Sequence, residues 1–307
     1  MNIKFTKSQL FYAISWLSCV LVIFIFLGIL MSLIKGSWLA INTFGSQFLW
    51  HDCWNPVKQM FGALGVLKGT LITSLIALVF AVPLSFALTI FTLRILPKSF
   101  RNGFRIAIDL LAGIPSIIYG MWGLFFLVPI IGTFIQPCLA HWFPHDGFFA
   151  GPPLGIGLFS AGIVLGLMII PFISSIMQDV IELVPPLYWE SVFALGATTW
   201  EAIRYIIIPF GRTGLMGGIM LGLGRALGET MAVAFIVGNA HTITHSLFVP
   251  SSTITSTLAN EFNEASNPLY SSVLVELGLI LFMLTGFIVL ISNQLLKVAK
   301  KKIRKKR

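Results

Sequence analysis

The sequence predicts an all-α, polytopic membrane protein with six transmembrane helices, and three observations predict it. The 307 residues are 57% apolar and only 10% charged, whereas a soluble domain is about 25% charged. Several uninterrupted apolar runs exceed the ~18–20 residues that carry a helix across a bilayer. The period-two alternation over about ten residues that marks a membrane β-barrel is absent.

The six spans fall at about 10–34, 68–93, 106–135, 156–178, 213–238 and 271–296. The first follows Lys4 and Lys7. It is too long for the core of a signal peptide and is followed by no small-residue cleavage site, so it reads as a retained span. Sidedness follows from the Lys and Arg of the connecting segments. With the N-terminus inside, the inner segments hold Lys4, Lys7, Arg94, Lys98, Arg101, Arg105, Arg204, Arg212 and eight more from Lys297 to Arg307, while the outer ones hold Lys35, Lys58 and Lys68. Sixteen against three predicts both termini inside. The chain then divides into an N-terminal span with its outer loop (1–67), a body of five spans (68–296) and a basic tail (297–307). That tail, net basic within a +9 chain, reads as an anchor beside anionic headgroups, and no nucleic-acid partner is expected. Trp38, Trp50 and Trp54 lie where indoles favour the membrane interface.

The inner segment 179–212 breaks the pattern. Pro185 and Pro186 suit the first turn of a helix, where a missing N–H costs nothing. Gly196 suits a left-handed stop, and Thr198 with Glu201 has the spacing of a capping box that starts a second short helix. Pro209 is expected to end that helix. Tyr188 and Trp200 are available as anchors. Connections are normally short. A 34-residue connection with two capped helices reads as a helix–turn–helix built to hold a partner.

The fifth span contains "GRALGET" at 224–230. Between Arg212 and His241, Arg225 and Glu229 are the only ionisable residues. A charge at mid-bilayer costs roughly 2.5–3.5 kcal/mol on insertion scales, and such residues mark substrate paths. Arg225, expected about twelve residues from either end of its span, must face the bundle interior or water, with Glu229 one turn on as its nearest partner. Two features weigh against a purely structural ion pair. The order Arg before Glu is the weaker arrangement at i, i+4, and a buried pair often loses more by desolvation than it gains. The planar fork of arginine instead suits a passing oxyanion. Gly214, Gly218 and Gly222 repeat at intervals of four and read as a helix-packing face. Gly224 and Gly228 flank the charges and read as room for an anion. Pro115 with Ser116, and Pro171, can bend their helices and turn backbone groups toward a pore, which makes Ser116 a pore-lining candidate.

These residues resemble a known family. Glu190, Gly196, Ile206, Ile208 and Pro209 match the signature E-A-A-x3-G-x9-I-x-L-P of the membrane subunits of bacterial ABC importers, with Ser191 and Val192 in place of its alanines and Ile208 in place of its leucine. Further stretches, "GTLITSLIALVFAVPLSFALTIF" (69–91), "LAGIPSIIYGMWGL" (111–124), "ALGATTWEAI" (194–203) and "GRALGETMAV" (224–233), narrow the resemblance to the PstC family of phosphate permeases over about residues 40–295. The paired PstA family shares some of these pieces, but the outer loop "WNPVKQMFGAL" (54–64) and the Met-Ala-Val ending fit PstC better. The resemblance implies a MetI-like, type I importer fold, in which 179–212 is the coupling loop. It implies that Glu190, Gly196, Trp200 and Pro209 serve docking to an ATPase dimer of PstB type. It also implies a PstA-like second permease and a PstS-like periplasmic phosphate-binding protein as partners in a bacterial inner membrane. Arg225 and Glu229, flanked by Gly224 and Gly228, would then form a switchable gate: the guanidinium pairs with the carboxylate between passages and with phosphate in transit. A permease for sulfate, molybdate or phosphonate, and an ion-coupled anion transporter, are the alternatives.

No G-x4-G-K-[ST] loop occurs, so ATP and its Mg are expected on a separate chain and no cofactor on this one. No nucleophile–base arrangement is recognisable, and the subunit is expected to form a channel rather than to catalyse a reaction. His51, His141, His145, His241 and His245 are scattered over outer loops. The Thr and Ser around His241 and His245 favour a loop and argue against a metal site. Cys19 reads as membrane core, while Cys53 and Cys138 read as ordinary thiols.

Overall fold

The structure is a computed structural model and describes residues 7–143, 147–241 and 246–304. His145 and His245 lie outside the described residues, and of the basic tail only the backbone through Arg304 is described. Among the described residues the chain forms ten α-helical segments: α1 (Lys7–Phe44), α2 (Leu64–Ile95), α3 (Lys98–Ala112), α4 (Ser116–Trp142), α5 (Leu158–Glu182), α6 (Pro186–Ala194), α7 (Thr199–Gly228), α8 (Met231–Ile236), α9 (Ile254–Glu261) and α10 (Pro268–Arg304). Six of these contain stretches, among the described residues, long and apolar enough to cross a bilayer: α1, α2, α4, α5, α7 and α10.

The most enclosed span is α5. It packs against α2, α3, α7 and α8, and its Val164, Leu165, Met168, Ile169 and Ile173 form the centre of the main core. Glycines set how closely its neighbours approach. On α5 itself, a Cβ at Gly162 would lie 2.6 Å from Ile76 of α2, and one at Gly166 would lie 3.0 Å from Phe80. On α7, the positions of Gly214, Gly218 and Gly222 climb α5 in register, meeting Val180, Ile176 and Ile173 at 2.5, 3.0 and 2.6 Å. The four-residue glycine repeat is therefore a packing face. Hydroxyls add to the α2–α5 seam, where Ser85 donates to the Ile170 carbonyl at 3.0 Å and Thr89 meets Ser174 at 3.2 Å.

The outermost span, α1, rests mainly on α10. The Ser272 hydroxyl inserts into the hydrogen-bond ladder of α1, donating to the Gly36 carbonyl at 2.7 Å and accepting from Ala40 N–H at 3.0 Å. A second core gathers Phe48, Phe61, Val66, Ile254, Tyr270 and Leu274 at the end of the bundle that bears loop 45–63. Cys19 lies exposed on α1, and all three cysteines are free.

Three expectations are corrected here. The predicted third span, 106–135, is two helices. Pro115 lacks the N–H that would continue the first helix and disfavours helical geometry in Ile114 before it, and Pro115 is itself extended (ψ 136°). The crossing helix therefore starts at Ser116, and 98–112 is a separate amphipathic helix. Pro209 does not end a helix either. A π turn at Ile203–Ile207 widens the backbone just before it, and α7 runs on without interruption. The same device precedes Pro129 and Pro137 in α4, with π turns at Gly123–Leu127 and Ile131–Ile135. A wider turn relieves the clash between the proline ring and the carbonyl four residues back. The third correction concerns the fifth span, which stops at Gly228 rather than near 238.

Candidate functional site: a broken helix with a charge on each side

Residues 229 and 230 interrupt the segment that hydropathy reads as continuous. Glu229 is extended (φ −71°, ψ 128°), and α8 begins at Met231. The break is held from outside by Thr255, whose hydroxyl donates to the Glu229 carbonyl at 2.7 Å. From the other side α4 presses closely on α8. A Cβ at Gly120 would lie 2.9 Å from Ala232 Cα, and one at Gly123 would lie 2.7 Å from both Ile236 and Val164.

The break changes how the two charges are read. Arg225 and Glu229 are not an i, i+4 pair on one helix, because Glu229 has left it. No ion pair joins them among the described residues. Arg225 lies in the last turn of α7, with its guanidinium carbon 5.4 Å from the ring centre of Phe172 and the Tyr119 phenol within its Coulombic reach. Glu229 turns to α8, accepting from Ala232 N–H at 3.4 Å. A cation thus sits at the negative end of one helix and an anion at the positive end of the next, where each interacts favourably with the helix dipole. The order Arg before Glu, unfavourable in an unbroken helix, is the favourable one across a break.

Arg225 is exposed on this single chain, not enclosed mid-helix as expected, and Glu229 is half-buried. Gly224 and Gly228 have open space where a Cβ would be. Gly228 and Thr230 also line a groove of about 750 Å3 shared with Thr255, Leu258 and the facing sides of α1 and α10. Ser116 opens α4 and is half-buried. The sequence reading missed Tyr119, Phe172 and Thr255. Thr255 lies 26 residues from Glu229, and no local pattern reports such a contact.

The second predicted site is the α6–α7 hairpin. Gly196 has φ +79°. Ala197 N–H reaches the Val192 carbonyl and Gly196 N–H reaches the Phe193 carbonyl, which is the paired bonding of a Schellman stop. The capping box forms: Thr198 N–H donates to Glu201 Oε2 at 2.8 Å, and Glu201 N–H donates to Thr198 Oγ1 at 3.3 Å. Trp200 and Glu190 are exposed, whereas Trp189, which the sequence reading passed over, is buried in the main core. Pro209 lies inside α7, at its π turn.

At the opposite end of the bundle, Glu261 accepts from Trp54 Nε1 at 2.9 Å and bonds His241 and Tyr270, tying loop 45–63 to α9 and α10. Burial raises the Glu261 pKa, but the bonds from His241, Tyr270 and Trp54 outweigh it, and the carboxyl is held below its ordinary value. A carboxylate with a depressed pKa stabilises the fold above its unfolded value of about 4.3, and that contribution disappears as pH falls through the folded value. Protection against hydrogen exchange in 50–63 and 254–261, corrected for the intrinsic exchange rate at each pH, should therefore fall between pH 5 and pH 3, and Glu261→Gln should flatten that dependence.

Comparison with known proteins places the chain. Residues 81–305 match the family described as binding-protein-dependent transport system inner membrane component. The chain is 52% identical over 291 residues to the phosphate transport system permease protein PstC of Pasteurella multocida, covering 92% of this chain and 91% of that protein. It is 50% identical to the PstC of Mesorhizobium japonicum, covering 94% and 89%. Among solved structures, a bacterial alginate ABC transporter in complex with its pentasaccharide-bound periplasmic protein shares the fold, with a TM-score of 0.62 at 17% identity over 94% of each chain. The inward-facing MetNI methionine ABC transporter aligns with a TM-score of 0.52 at 16% identity, over 78% of this chain and 94% of that one. The chain therefore belongs to the inner-membrane components of binding-protein-dependent transport systems and, within them, to the PstC family.

Proposed function

We propose that this chain is the permease subunit of an ATP-driven importer that carries inorganic phosphate across a bacterial inner membrane. The observation that carries the reading is the break at Glu229–Thr230 in a PstC-family span, with a guanidinium before it and a carboxylate after it. Broken helices with their termini turned on a site are how transporters bind ions within a membrane. Arg225 offers phosphate a bidentate fork that stays charged at any working pH. Glu229 neutralises that fork between passages, and Gly224, Gly228 and Ser116 leave room for the anion. Arg225 is exposed on the single chain, which fits a pathway completed by a second, PstA-like permease. In this conformation the two charges stand apart, so their pairing belongs to another step of the cycle.

The remaining parts follow from the same reading. Both termini face the cytoplasm, as the basic residues imply. The hairpin of α6 and the start of α7, with Glu190, Gly196 and Trp200, docks on a PstB-like ATPase dimer that binds ATP and Mg, and a PstS-like binding protein delivers phosphate to the opposite face. The deciding experiment reconstitutes the complete transporter in proteoliposomes, with ATP supplied and ion gradients collapsed. Phosphate should accumulate and sulfate should not. Uptake that needs the gradient and ignores ATP would overturn the reading. For the hairpin, Gly196→Ala forces a side chain into left-handed geometry at roughly 1–2 kcal/mol. It should weaken retention of the ATPase during purification and leave the thermal stability of the spans unchanged.

A further inference from the structure

A basic cavity of about 540 Å3 lies at the coupling-hairpin end of the bundle, remote in sequence from the broken helix. It is enclosed by the end of α2, the polar face of α3, the end of α5 and helix α6. Four cations line it, Arg94, Lys98, Arg101 and Arg105, against two carboxylates, Glu182 and Glu190. These charges are not equivalent. Arg105 is committed: its guanidinium holds Glu182 at 2.8 Å and also bonds Asp179, and its pKa is raised, first by the hydrogen bond to Glu182. Among the described residues, no ion pair engages Arg94, Lys98 or Arg101. Arg101 spends its Nε on the Leu96 carbonyl at 3.0 Å, which fixes the base of the side chain and leaves the fork to project.

Arg94 points to a ligand. Its guanidinium carbon lies 3.1 Å from the ring centre of Trp189, and its Nε is buried with no hydrogen-bond partner among the described residues. A buried donor without an acceptor costs the full desolvation penalty, and such a group in a native fold calls for a bound water or ion. The stacking on Trp189 fixes the plane of the fork. A pre-oriented guanidinium lacking an acceptor, with an ammonium and a second guanidinium on the same cavity wall, fits a tetrahedral phosphate group with several acceptor oxygens. Lys98 is also the first residue of the 15-residue helix α3, where backbone N–H groups and the helix dipole favour an anion.

We infer that Arg94, Lys98 and Arg101 form a phosphate-group binding site wedged between α3 and the coupling hairpin. An occupant there bridges α2 and α3 to Trp189 of α6, so it stiffens the hairpin against the rest of the bundle. Two sources carry this chemistry: free inorganic phosphate, and the headgroup of an acidic phospholipid. The exposed Phe100, Ile106 and Leu110 of α3 would lie beside acyl chains in the second case. The inference does not depend on the Arg225 reading.

The test is hydrogen exchange of peptides 94–105 and 186–194 in the complete transporter, held in nanodiscs of phosphatidylcholine. One arm adds millimolar inorganic phosphate, with chloride at matched ionic strength as its control. The other replaces a third of the lipid by phosphatidylglycerol. Exchange in both peptides should slow at least threefold in one arm, and that arm names the source. The Lys98→Gln, Arg101→Gln double variant, altered only at the cavity wall, should lose the effect, and Arg225→Gln should keep it. No slowing in either arm overturns the site, as does slowing that survives the double variant. Slowing that vanishes in Arg225→Gln locates the anion at the broken helix and also overturns it. Arg94→Gln should lose the effect as well, and should that variant prove too unstable to purify, the double variant decides alone.

Discussion

Arg225→Gln is expected to lower phosphate uptake about a hundredfold while the complex still assembles. The size follows from what the fork supplies. Hydrogen bonds to a charged group are each worth ~1.5–3 kcal/mol, so losing a bidentate pair removes roughly 3 kcal/mol, and 1.4 kcal/mol is a factor of ten. Arg225→Lys keeps the charge and loses the planar fork, so it should fall between wild type and Gln. Glu229→Gln separates charge from structure. Glutamine can still accept from Ala232 N–H as Glu229 does, so the start of α8 should persist while the neutralising charge is lost, and uptake should fail in an assembled complex. Radiolabelled phosphate uptake at limiting phosphate, with co-purification of the ATPase as the assembly readout, checks all three. Wild-type uptake by both Arg225→Gln and Glu229→Gln would refute the gate.

Which parts of this arrangement could be read from the sequence has a physical explanation. The α6–α7 hairpin was legible because its signals are local. Proline at the first turn of α6, Gly196 in left-handed geometry and the Thr198–Glu201 box each act over three or four residues. The Gly214–Gly218–Gly222 face was legible because helical periodicity puts residues four apart on one side. Helix interruptions were not legible. Hydropathy averages over a window and is blind to a two-residue change of backbone direction, so 106–135 and 213–238 each read as one span. The fate of Pro209 was equally hidden, since a proline that terminates one helix is carried through another once a π turn precedes it. Contacts such as Arg94 on Trp189, or Thr255 on Glu229, join residues distant in the chain. They exist only once α2 has met α6 and α9 has met the break.

Gly69→Ala should be among the most damaging single-methyl changes in the chain. On helix propensity alone it should help, since alanine is favoured over glycine by about 0.8–1.0 kcal/mol in a helix interior. At position 69 a Cβ would be driven into the Ser252 carbonyl oxygen, and the backbone carbon behind it lies 3.1 Å away. That carbonyl cannot easily retreat. Ser252 immediately precedes the Thr253 cap of α9, whose side chain accepts from Ser256 N–H, and Ile254 N–H is tied to Thr70 Oγ1 at 2.9 Å. Relief would require α2 and α9 to separate, and overpacking of this kind costs typically 1–3 kcal/mol or more. Gly103→Ala is the control. It lies in α3 with nothing within 4 Å of its would-be Cβ, so only propensity acts and stability should rise by up to about 1 kcal/mol. Thermal unfolding of the purified chain in one detergent compares the two. Opposite signs are expected, and a stabilising Gly69→Ala would show that α2 and the segment entering α9 are not in contact. Because α9 also supplies Thr255, which holds the Glu229 carbonyl, a partly folded Gly69→Ala protein should lose transport before it loses its spans.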